Sequence, residues 1–363
     1  MSIQISTVVG ARPNFMKIGP IFDEARRRPR LQLRLIHTGQ HYSSEMSDSF
    51  FQDLSIPAPD INLGVGGGSH TSQTAAIMQR LEPELDANRP DLLLLVGDVN
   101  STMAAALVAA KAGVPIAHIE AGLRSFDRGM PEEINRIVTD ALSDYLFASE
   151  SSGVTNLRAE GVPESKIFLV GNVMIDTLLR FRGRAAQTRV WERLGLQPRS
   201  YAVVTLHRPA NVDDTAKLGS LLEVLAEIAR TLPVVFPVHP RTRQRMEAID
   251  FPREGILLAP PMGYLEFLGL MGEARMILTD SGGIQEESTL LGVPCLTMRR
   301  NTERPITIEK GTNRLVGDDP ATILRIAVET LQQPLPVAGG GPELWDGKAA
   351  ARILDVIEGK FPE

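Results

Sequence analysis

The sequence has few aromatic residues, one cysteine and no excess of positive charge. Aromatic residues make up 5% of the 363 residues, too few for the stacked platforms that bind single-stranded nucleic acid. The formal net charge of -6 opposes binding to a phosphate backbone, which needs a basic stripe. The single cysteine, Cys295, lies in an apolar run, so a disulfide within the chain is excluded and a buried thiol is expected. Nucleic acid is therefore not an expected partner.

Long apolar runs and a targeting segment are also missing. No stretch approaches the ~18 consecutive apolar residues of a membrane span. The first residues, from Met1 to Ile5, lead directly into a predicted strand and carry no signal-peptide pattern. We therefore expect a protein of the reducing cytoplasm that does not act at a membrane.

The sequence does contain strand-length apolar runs that alternate with helix-period segments. The predicted strands are 3–9, 33–36, 92–96, 115–119, 145–148, 167–170, 202–206, 234–238, 276–279 and 294–298, and the predicted helices include 101–112, 132–142, 217–230, 284–291 and 348–357. This alternation is typical of parallel sheets with crossover helices on both faces. At about 150 residues per domain, we predict an α/β fold of two domains, residues 1–171 and 172–347, with the final helix, 348–363, returning to the first domain.

The residues after the first predicted strand suit an anion. Parallel sheets bind ligands at the carboxyl ends of their strands. Gly10, Arg12 and Lys17 follow this strand, and Pro13 is suited to open a helix. Two cations beside a helix N-terminus favour a phosphate or diphosphate. An ordinary strand–helix turn with solvated cations is the alternative.

Three carboxylates follow strand ends in the first half of the chain. Asp98 and Glu120 come at the ends of two predicted strands, and Glu132 opens a predicted helix. Carboxylates that share a cleft shift one another's pKa values and can take acid and base roles. No zinc-like spacing or Asp-x-Asp run accompanies them, so acid–base chemistry is favoured over metal binding. Helix capping by Asp98 and first-turn electrostatics for Glu132 are the alternatives.

The second half places histidines and glycines at strand ends. His207 and His239 each follow a predicted strand, and this repetition favours ligand contact. Another strand ends at Ser281-Gly-Gly283, where Ser281 can cap the next helix and backbone N–H groups can bind a diphosphate. Glu287, about two turns into that helix, is placed to reach ribose hydroxyls. A simple capped helix is the alternative.

Three histidines and one glycine-rich stretch are less informative. His118 lies inside a predicted strand and is expected in the core, while the roles of His37 and His70 stay open. Gly64-Val-Gly-Gly-Gly68 does not directly follow a predicted strand, so it is not a dinucleotide-binding fingerprint. We expect a surface loop there, with closure over a substrate as the alternative.

Taken in order, these motifs resemble the UDP-N-acetylglucosamine 2-epimerase family in its non-hydrolysing branch. The matching stretches are Gly10-Ala-Arg-Pro13, Thr38-Gly-Gln-His41, Gly97-Asp98, His118-Ile-Glu-Ala-Gly-Leu-Arg124, Pro131-Glu-Glu-Ile-Asn-Arg136, Gly171-Asn172, His207-Arg208, Pro237-Val-His239, Asp280-Ser-Gly-Gly-Ile-Gln-Glu-Glu287 and Thr302-Glu-Arg-Pro305. They run in order through nearly the whole chain, and that combination is highly specific.

The resemblance implies a glycosyltransferase-B-like fold in which two Rossmann-like domains hold the active site between them. It implies a UDP-sugar ligand, no metal, no redox cofactor and a homodimer. The family's catalytic groups match Asp98, Glu120, Glu132 and His207. Its nucleotide and diphosphate contacts match Arg12, Lys17, His239, Ser281, Gly282, Gly283, Glu287 and Arg304. Phe267 matches a residue near the uracil, and Met262 replaces a frequent Gln, so only a backbone contact carries over there.

The implied reaction inverts carbon 2 (C2) between UDP-N-acetylglucosamine and UDP-N-acetylmannosamine by eliminating and readding UDP. Two stretches differ from the corresponding residues of many relatives: Tyr42-Ser43 and Pro209-Ala-Asn211. They resemble the stretches found in relatives that act on other UDP-aminosugars, including diacetamido-uronic acids. Bacterial members can bind a second UDP-N-acetylglucosamine as an activator, and these departures predict no obligatory activator here. The alternatives are a hydrolysing epimerase, a UDP-sugar glycosyltransferase and a nucleotide-sugar-binding regulator.

Overall fold

The described residues form two parallel sheets, each with its own helices. This computed structural model describes residues 2–40, 56–336 and 341–361, without the side chains of Arg12 and Arg241. The strands are β1 (Ile3–Val9), β2 (Leu31–His37), β3 (Ile61–Asn62), β4 (Leu92–Val96), β5 (Ile116–Ile119), β6 (Tyr145–Ala148), β7 (Ile167–Leu169), β8 (Ala202–Thr205), β9 (Val234–Pro237), β10 (Ile256–Ala259), β11 (Met276–Thr279), β12 (Cys295–Thr297) and β13 (Asn313–Leu315).

The α-helices of these residues cover the connections between the strands. They are α1 (Arg12–Ala25), α2 (His70–Ala87), α3 (Asn100–Ala112), α4 (Pro131–Leu142), α5 (Ser151–Ala159), α6 (Val173–Gln187), α7 (Val190–Arg193), α8 (Pro209–Val212), α9 (Thr215–Ala229), α10 (Pro240–Met246), α11 (Tyr264–Gly272), α12 (Gly282–Leu291), α13 (Ile306–Glu309), α14 (Pro320–Gln332) and α15 (Ala349–Lys360). None of the helices in the described part of the chain is long and apolar enough to cross a membrane.

The first sheet belongs to a unit formed by Met1–Thr177 and Glu343–Glu363. Its strands lie in the order β3-β2-β1-β4-β5-β6-β7, and all neighbouring pairs are parallel. Every residue of β4 is buried, which is why its sequence is continuously apolar. Leu95 of β4 packs in one core cluster with Leu81 of α2 and Val108 of α3.

The last helix, α15, packs on α1 within this unit. Arg28, just after α1, donates to Asp355 over 2.7 Å and to Glu358 over 2.9 Å. The Asp176 carboxylate accepts the backbone N–H groups at the start of α15, and burial raises the pKa of Asp176 to about 6.

The second sheet belongs to the unit Leu178–Pro342. Its strands are all parallel in the order β10-β9-β8-β11-β12-β13. Counted within each unit, both sheets contain the Rossmann order 3-2-1-4-5-6, which confirms the predicted class of two Rossmann-like α/β domains. The chain divides inside α6 and again after Pro342, whereas the sequence analysis placed the divisions after residues 171 and 347.

The edge strands β3, β10 and β13 were not predicted from the sequence. β3 and β13 are two and three residues long and contain polar residues, so neither forms a continuous apolar run. β10 is apolar throughout and was missed although it carries that signal. Gly64–Gly68 lies between β3 and α2, with Leu63 separating it from the strand. Its glycines are exposed, as expected of a surface loop.

Candidate active site

A buried ion pair lies at the carboxyl edge of the first sheet. Lys17 Nζ of α1 donates to Glu120 Oε2, just after β5, over 2.5 Å, and both side chains are buried. Glu120 adopts a φ of 70°, a strained conformation of the kind that clusters at functional sites. Its other oxygen, Oε1, is buried and has no hydrogen-bond partner among the described residues. One carboxylate oxygen is therefore fixed by a cation, and the other is not engaged by the described part of the chain.

Gly97, just after β4, makes room for this pair. A Cβ at Gly97 would lie 3.2 Å from Lys17 Nζ and 3.9 Å from Glu120 Oε2, and its φ of +71° also favours glycine. Asn14 completes the arrangement, because its side chain accepts the N–H groups of Gly10 and Ala11 and donates to Val96 over 3.0 Å. Asn14 is a residue that the sequence analysis missed.

His118 lies directly behind this edge. It is fully buried, as expected of a core residue. Its Nδ1 lies 2.6 Å from Asp140 Oδ1 and its Nε2 lies 2.9 Å from the Gly97 carbonyl. Burial opposes ionisation of Asp140, but the charge and hydrogen bond of His118, together with the Arg124 charge, hold its pKa below the usual range. Both ring nitrogens of His118 face oxygen acceptors, so the ring supports Gly97 and does not contact a ligand.

Asp98 is tied to α4 by Arg136. Arg136 Nη1 donates to Asp98 Oδ2 over 2.6 Å, and Arg136 Nη2 donates to Glu133 Oε2 over 2.5 Å. Burial opposes ionisation of Glu133, but hydrogen bonds from Ser125 and Arg136 hold its pKa below the usual value. Glu132, its neighbour in the first turn, is exposed. The two adjacent glutamates of the motif therefore have different environments, and only Glu132 is open to a ligand.

In the second unit, His207 follows β8 and meets Asp280, which follows β11. Its side chain is 60% exposed, and its Nδ1 lies 2.8 Å from the buried Asp280 Oδ1. β8 and β11 are neighbours in the sheet, at the point where the strand order reverses. Such a switch point is where open α/β sheets bind their ligands. Asp280 is the first residue of the motif that ends at Glu287, but the sequence analysis did not select it as a site residue.

The start of α12 carries a cluster of buried charges. A Cβ at Gly282 would lie 2.6 Å from both Arg304 Nη1 and Glu303 Oε1, so any other residue would displace these two paired side chains. Arg299 Nη2 donates to Glu303 Oε2 over 2.7 Å. Burial raises the pKa of Glu303, but the charges of Arg304 and Arg299 outweigh this effect and hold that pKa far below its usual range. Ser281 stands at the N-cap position, but its side chain makes no capping hydrogen bond, so the expected cap was wrong.

Further into α12, Glu287 is buried against α11. Tyr264 donates to Glu287 Oε1 over 3.0 Å. Burial raises the pKa of Glu287 to about 7.

Three more of the residues selected from the sequence follow the carboxyl ends of strands in the second sheet. His239 is exposed after β9, while Met262 and Phe267 are half-buried just before and within α11. The Arg12 side chain and the segment containing His41, Tyr42 and Ser43 lie outside the described residues. No group of three His, Cys, Asp or Glu side chains in the described ranges could hold a metal ion.

The two parallel sheets, with charged groups at their carboxyl edges, define an α/β enzyme of the glycosyltransferase-B-like class. The family model of UDP-N-acetylglucosamine 2-epimerase matches residues 23–358. The chain therefore belongs to the UDP-N-acetylglucosamine 2-epimerase family, which confirms the resemblance that its motifs indicated.

Individual relatives agree with this assignment. The chain is similar to UDP-N-acetylglucosamine 2-epimerase of Methanocaldococcus jannaschii, with 41% identity over 99% of this chain and 100% of that protein. It is 40% identical to UDP-2,3-diacetamido-2,3-dideoxy-D-glucuronate 2-epimerase of Pseudomonas aeruginosa, over 98% of this chain and 99% of that protein. The crystal structure of the Methanocaldococcus jannaschii enzyme in complex with UDP-GlcNAc and UDP has a TM-score of 0.89 at 40% identity, covering 97% of this chain and 99% of that one.

Proposed function

We propose that the protein interconverts UDP-N-acetylglucosamine and UDP-N-acetylmannosamine without hydrolysis. The observation that carries the proposal is the Lys17–Glu120 pair, in which one buried carboxylate oxygen has no partner among the described residues. A carboxylate placed in this way is suited to accept a proton from a weakly acidic C–H group.

The proposed reaction is an elimination followed by an addition. A base takes the C2 proton, the pair of electrons forms the C1–C2 double bond, and the bond from C1 to the UDP oxygen breaks. UDP then adds back at C1, and an acid returns a proton to C2 on the opposite face. Atoms balance without a cofactor, and the glycal and UDP must stay bound together or the sugar is lost.

We assign proton removal at C2 to Glu120. Lys17 orients Glu120 through one of its three N–H donors, which leaves the others for the substrate diphosphate. We propose that three further residues return the proton and assist the leaving group. They are Asp98, which Arg136 orients, and the exposed residues Glu132 and His207.

The leaving UDP needs stabilisation of its developing negative charge. We assign this to the hydroxyl group of Ser281 and the backbone N–H groups of Gly282 and Gly283 at the start of α12, because a helix N-terminus attracts anions. The backbone N–H of Ser281 itself donates to Thr279 Oγ1 over 3.0 Å. Arg304, which packs against Gly282 and pairs with Glu303 and Glu286, is proposed as a further diphosphate contact. We propose further diphosphate contacts by Lys17, Arg12 and His239. Glu287 is proposed to contact the ribose, and Met262 and Phe267 are proposed to contact the uracil.

A second substrate candidate is a UDP-diacetamido-uronic acid. It is favoured by the similarity to the Pseudomonas aeruginosa relative, whose identity of 40% nearly equals the 41% of the Methanocaldococcus jannaschii relative. The C2 chemistry is the same for both sugars, so the choice rests on contacts to the rest of the sugar ring.

We also propose that the protein is a homodimer and that it lies in the cytoplasm. Light scattering tests the first proposal, and cell fractionation tests the second.

One experiment tests the substrate and the mechanism together. The protein is incubated separately with each UDP-sugar in deuterated water, and the products are followed by NMR. We expect a UDP-linked C2 epimer that carries deuterium at C2. An epimer that keeps the original hydrogen would refute elimination, while free sugar and UDP would indicate the hydrolysing reaction. Transfer to an added acceptor would indicate a glycosyltransferase.

A further inference from the structure

We propose that Asp280 is the positioning residue for His207. Its buried carboxylate holds the imidazole ring with Nδ1 toward the protein, so that Nε2 is the nitrogen that exchanges protons with the reactants. This inference rests on the proposed function, in which His207 serves as an acid–base group.

The Asp280 carboxylate is surrounded by hydrogen-bond donors. It accepts the backbone N–H of His207 over 3.1 Å and that of Arg208 over 3.0 Å. Asn211 Nδ2 donates to it over 3.2 Å, and His207 Nδ1 lies at 2.8 Å. An ionised carboxylate only accepts hydrogen bonds, so the ring nitrogen that faces it must carry a proton.

Asp280 is fixed in place by the sheet and does not reach solvent. Its side chain is fully buried. Its backbone N–H points to the Thr205 carbonyl over 3.4 Å, and its carbonyl accepts Arg208 Nε over 3.0 Å. Asn211 also donates to the Met298 carbonyl over 3.2 Å, and this hydrogen bond fixes the orientation of the Asn211 side-chain amide. A residue buried in this way acts through His207 and does not contact the substrate.

This geometry gives His207 a defined chemical state. In the neutral ring the proton lies on Nδ1, so Nε2 has a lone pair that can accept a proton. In the protonated ring, the carboxylate at 2.8 Å stabilises the positive charge. Burial opposes ionisation of Asp280, but the hydrogen bond and charge of His207 hold its pKa below the usual value. The pair can therefore take up and return a proton without moving the ring.

The charged groups around this pair keep partners when the Asp280 carboxylate is replaced, because Arg208 Nε donates to the backbone carbonyl of Asp280. Arg208 approaches Asp280 through its backbone N–H and Nε, while its Nη2 lies 3.9 Å from Glu303. Glu303 is paired with Arg299 and Arg304. A change in the pH profile on replacing Asp280 therefore reports on its contact with His207.

The test replaces Asp280 with asparagine, which keeps the shape and removes the charge. We expect kcat to fall by ~10²–10⁴-fold, the usual contribution of an acid–base group, while UDP affinity by calorimetry stays close to that of the original protein. The limb of the pH–rate profile that His207→Asn abolishes should change, because the ring loses the carboxylate that it contacts at 2.8 Å. Asn211→Ala is the matched control: it removes another donor to the same carboxylate and should leave that limb in place.

A direct measurement does not depend on the variant folding or on turnover. In the original protein labelled with ¹⁵N-histidine, NMR should show the neutral His207 ring protonated at Nδ1. Protonation at Nε2 would overturn the inference, as would an Asp280→Asn variant with unchanged kcat and pH profile, or one that loses UDP affinity in proportion to kcat. Absence of epimerase turnover in the original protein would instead contradict the proposed function.

Discussion

Replacing Glu120 with glutamine separates the electrostatic role of this residue from its proposed chemical role. The side chains of Lys17 and Glu120 are only 8% and 4% exposed, and their charged atoms are 2.5 Å apart. Glutamine keeps the shape but removes the negative charge, so the Lys17 ammonium becomes a buried charge without a counterion. Breaking a buried pair in this way costs roughly 3–5 kcal/mol of stability.

The proposed chemistry adds a separate effect on turnover. A general base contributes ~10²–10⁴-fold to kcat, which corresponds to about 3–5 kcal/mol of activation free energy. Lys17→Met/Glu120→Gln removes both charges and should recover most of the lost stability, because no buried charge is then left without a counterion. It should not recover kcat, since the proton acceptor is still missing.

The assay combines urea unfolding with NMR of the UDP-sugar at saturating concentration. Asp176→Asn is the control, because it removes another buried carboxylate that contacts the start of α15, and it should leave kcat nearly unchanged. Near-normal kcat in Glu120→Gln would refute the assignment of the base. Recovery of both stability and kcat in the double variant would show that Glu120 only balances Lys17.

Three further predictions concern nucleotide binding, pH and regulation. Gly282→Val should weaken UDP binding, measured by calorimetry, because its Cβ would lie 2.6 Å from Arg304 Nη1; unchanged affinity in a folded variant would place the diphosphate elsewhere. Burial raises the pKa of Glu287 from the ordinary 4.5 to about 7, so the folded state retains a proton that the unfolded chain releases, and this group should lower stability as pH rises between those values. Glu287→Gln should remove that slope in urea midpoints, and an unchanged slope would contradict the assignment. Pro209 and Ala210 offer no side-chain hydrogen bonds to an activator, so initial rates should depend hyperbolically on UDP-N-acetylmannosamine; turnover only after adding its C2 epimer would contradict this.

The class of fold and the candidate site residues were accessible from the sequence because their signals are local. Burial on both faces made β4 continuously apolar, and glycines or charged residues marked the ends of strands. Those ends collect ligand-binding groups in any parallel sheet, so Asp98, Glu120 and His207 could be selected without coordinates. The edge strands β3 and β13 carried no such signal, because each is at most three residues long and contains polar residues, whereas β10 is apolar and was missed all the same.

The partners of these residues were decided only by the tertiary structure. Lys17 and Glu120 are 103 residues apart, and Asp280 and the His207 backbone that it holds are 73 residues apart. Strand order brings each pair together, and no local pattern in the sequence specifies that order. The sequence by itself determined which chemical groups stand at the strand ends. Long-range packing decided which of them are paired and which are buried, because hydrogen bonds and ion pairs depend on distances that only the folded chain sets.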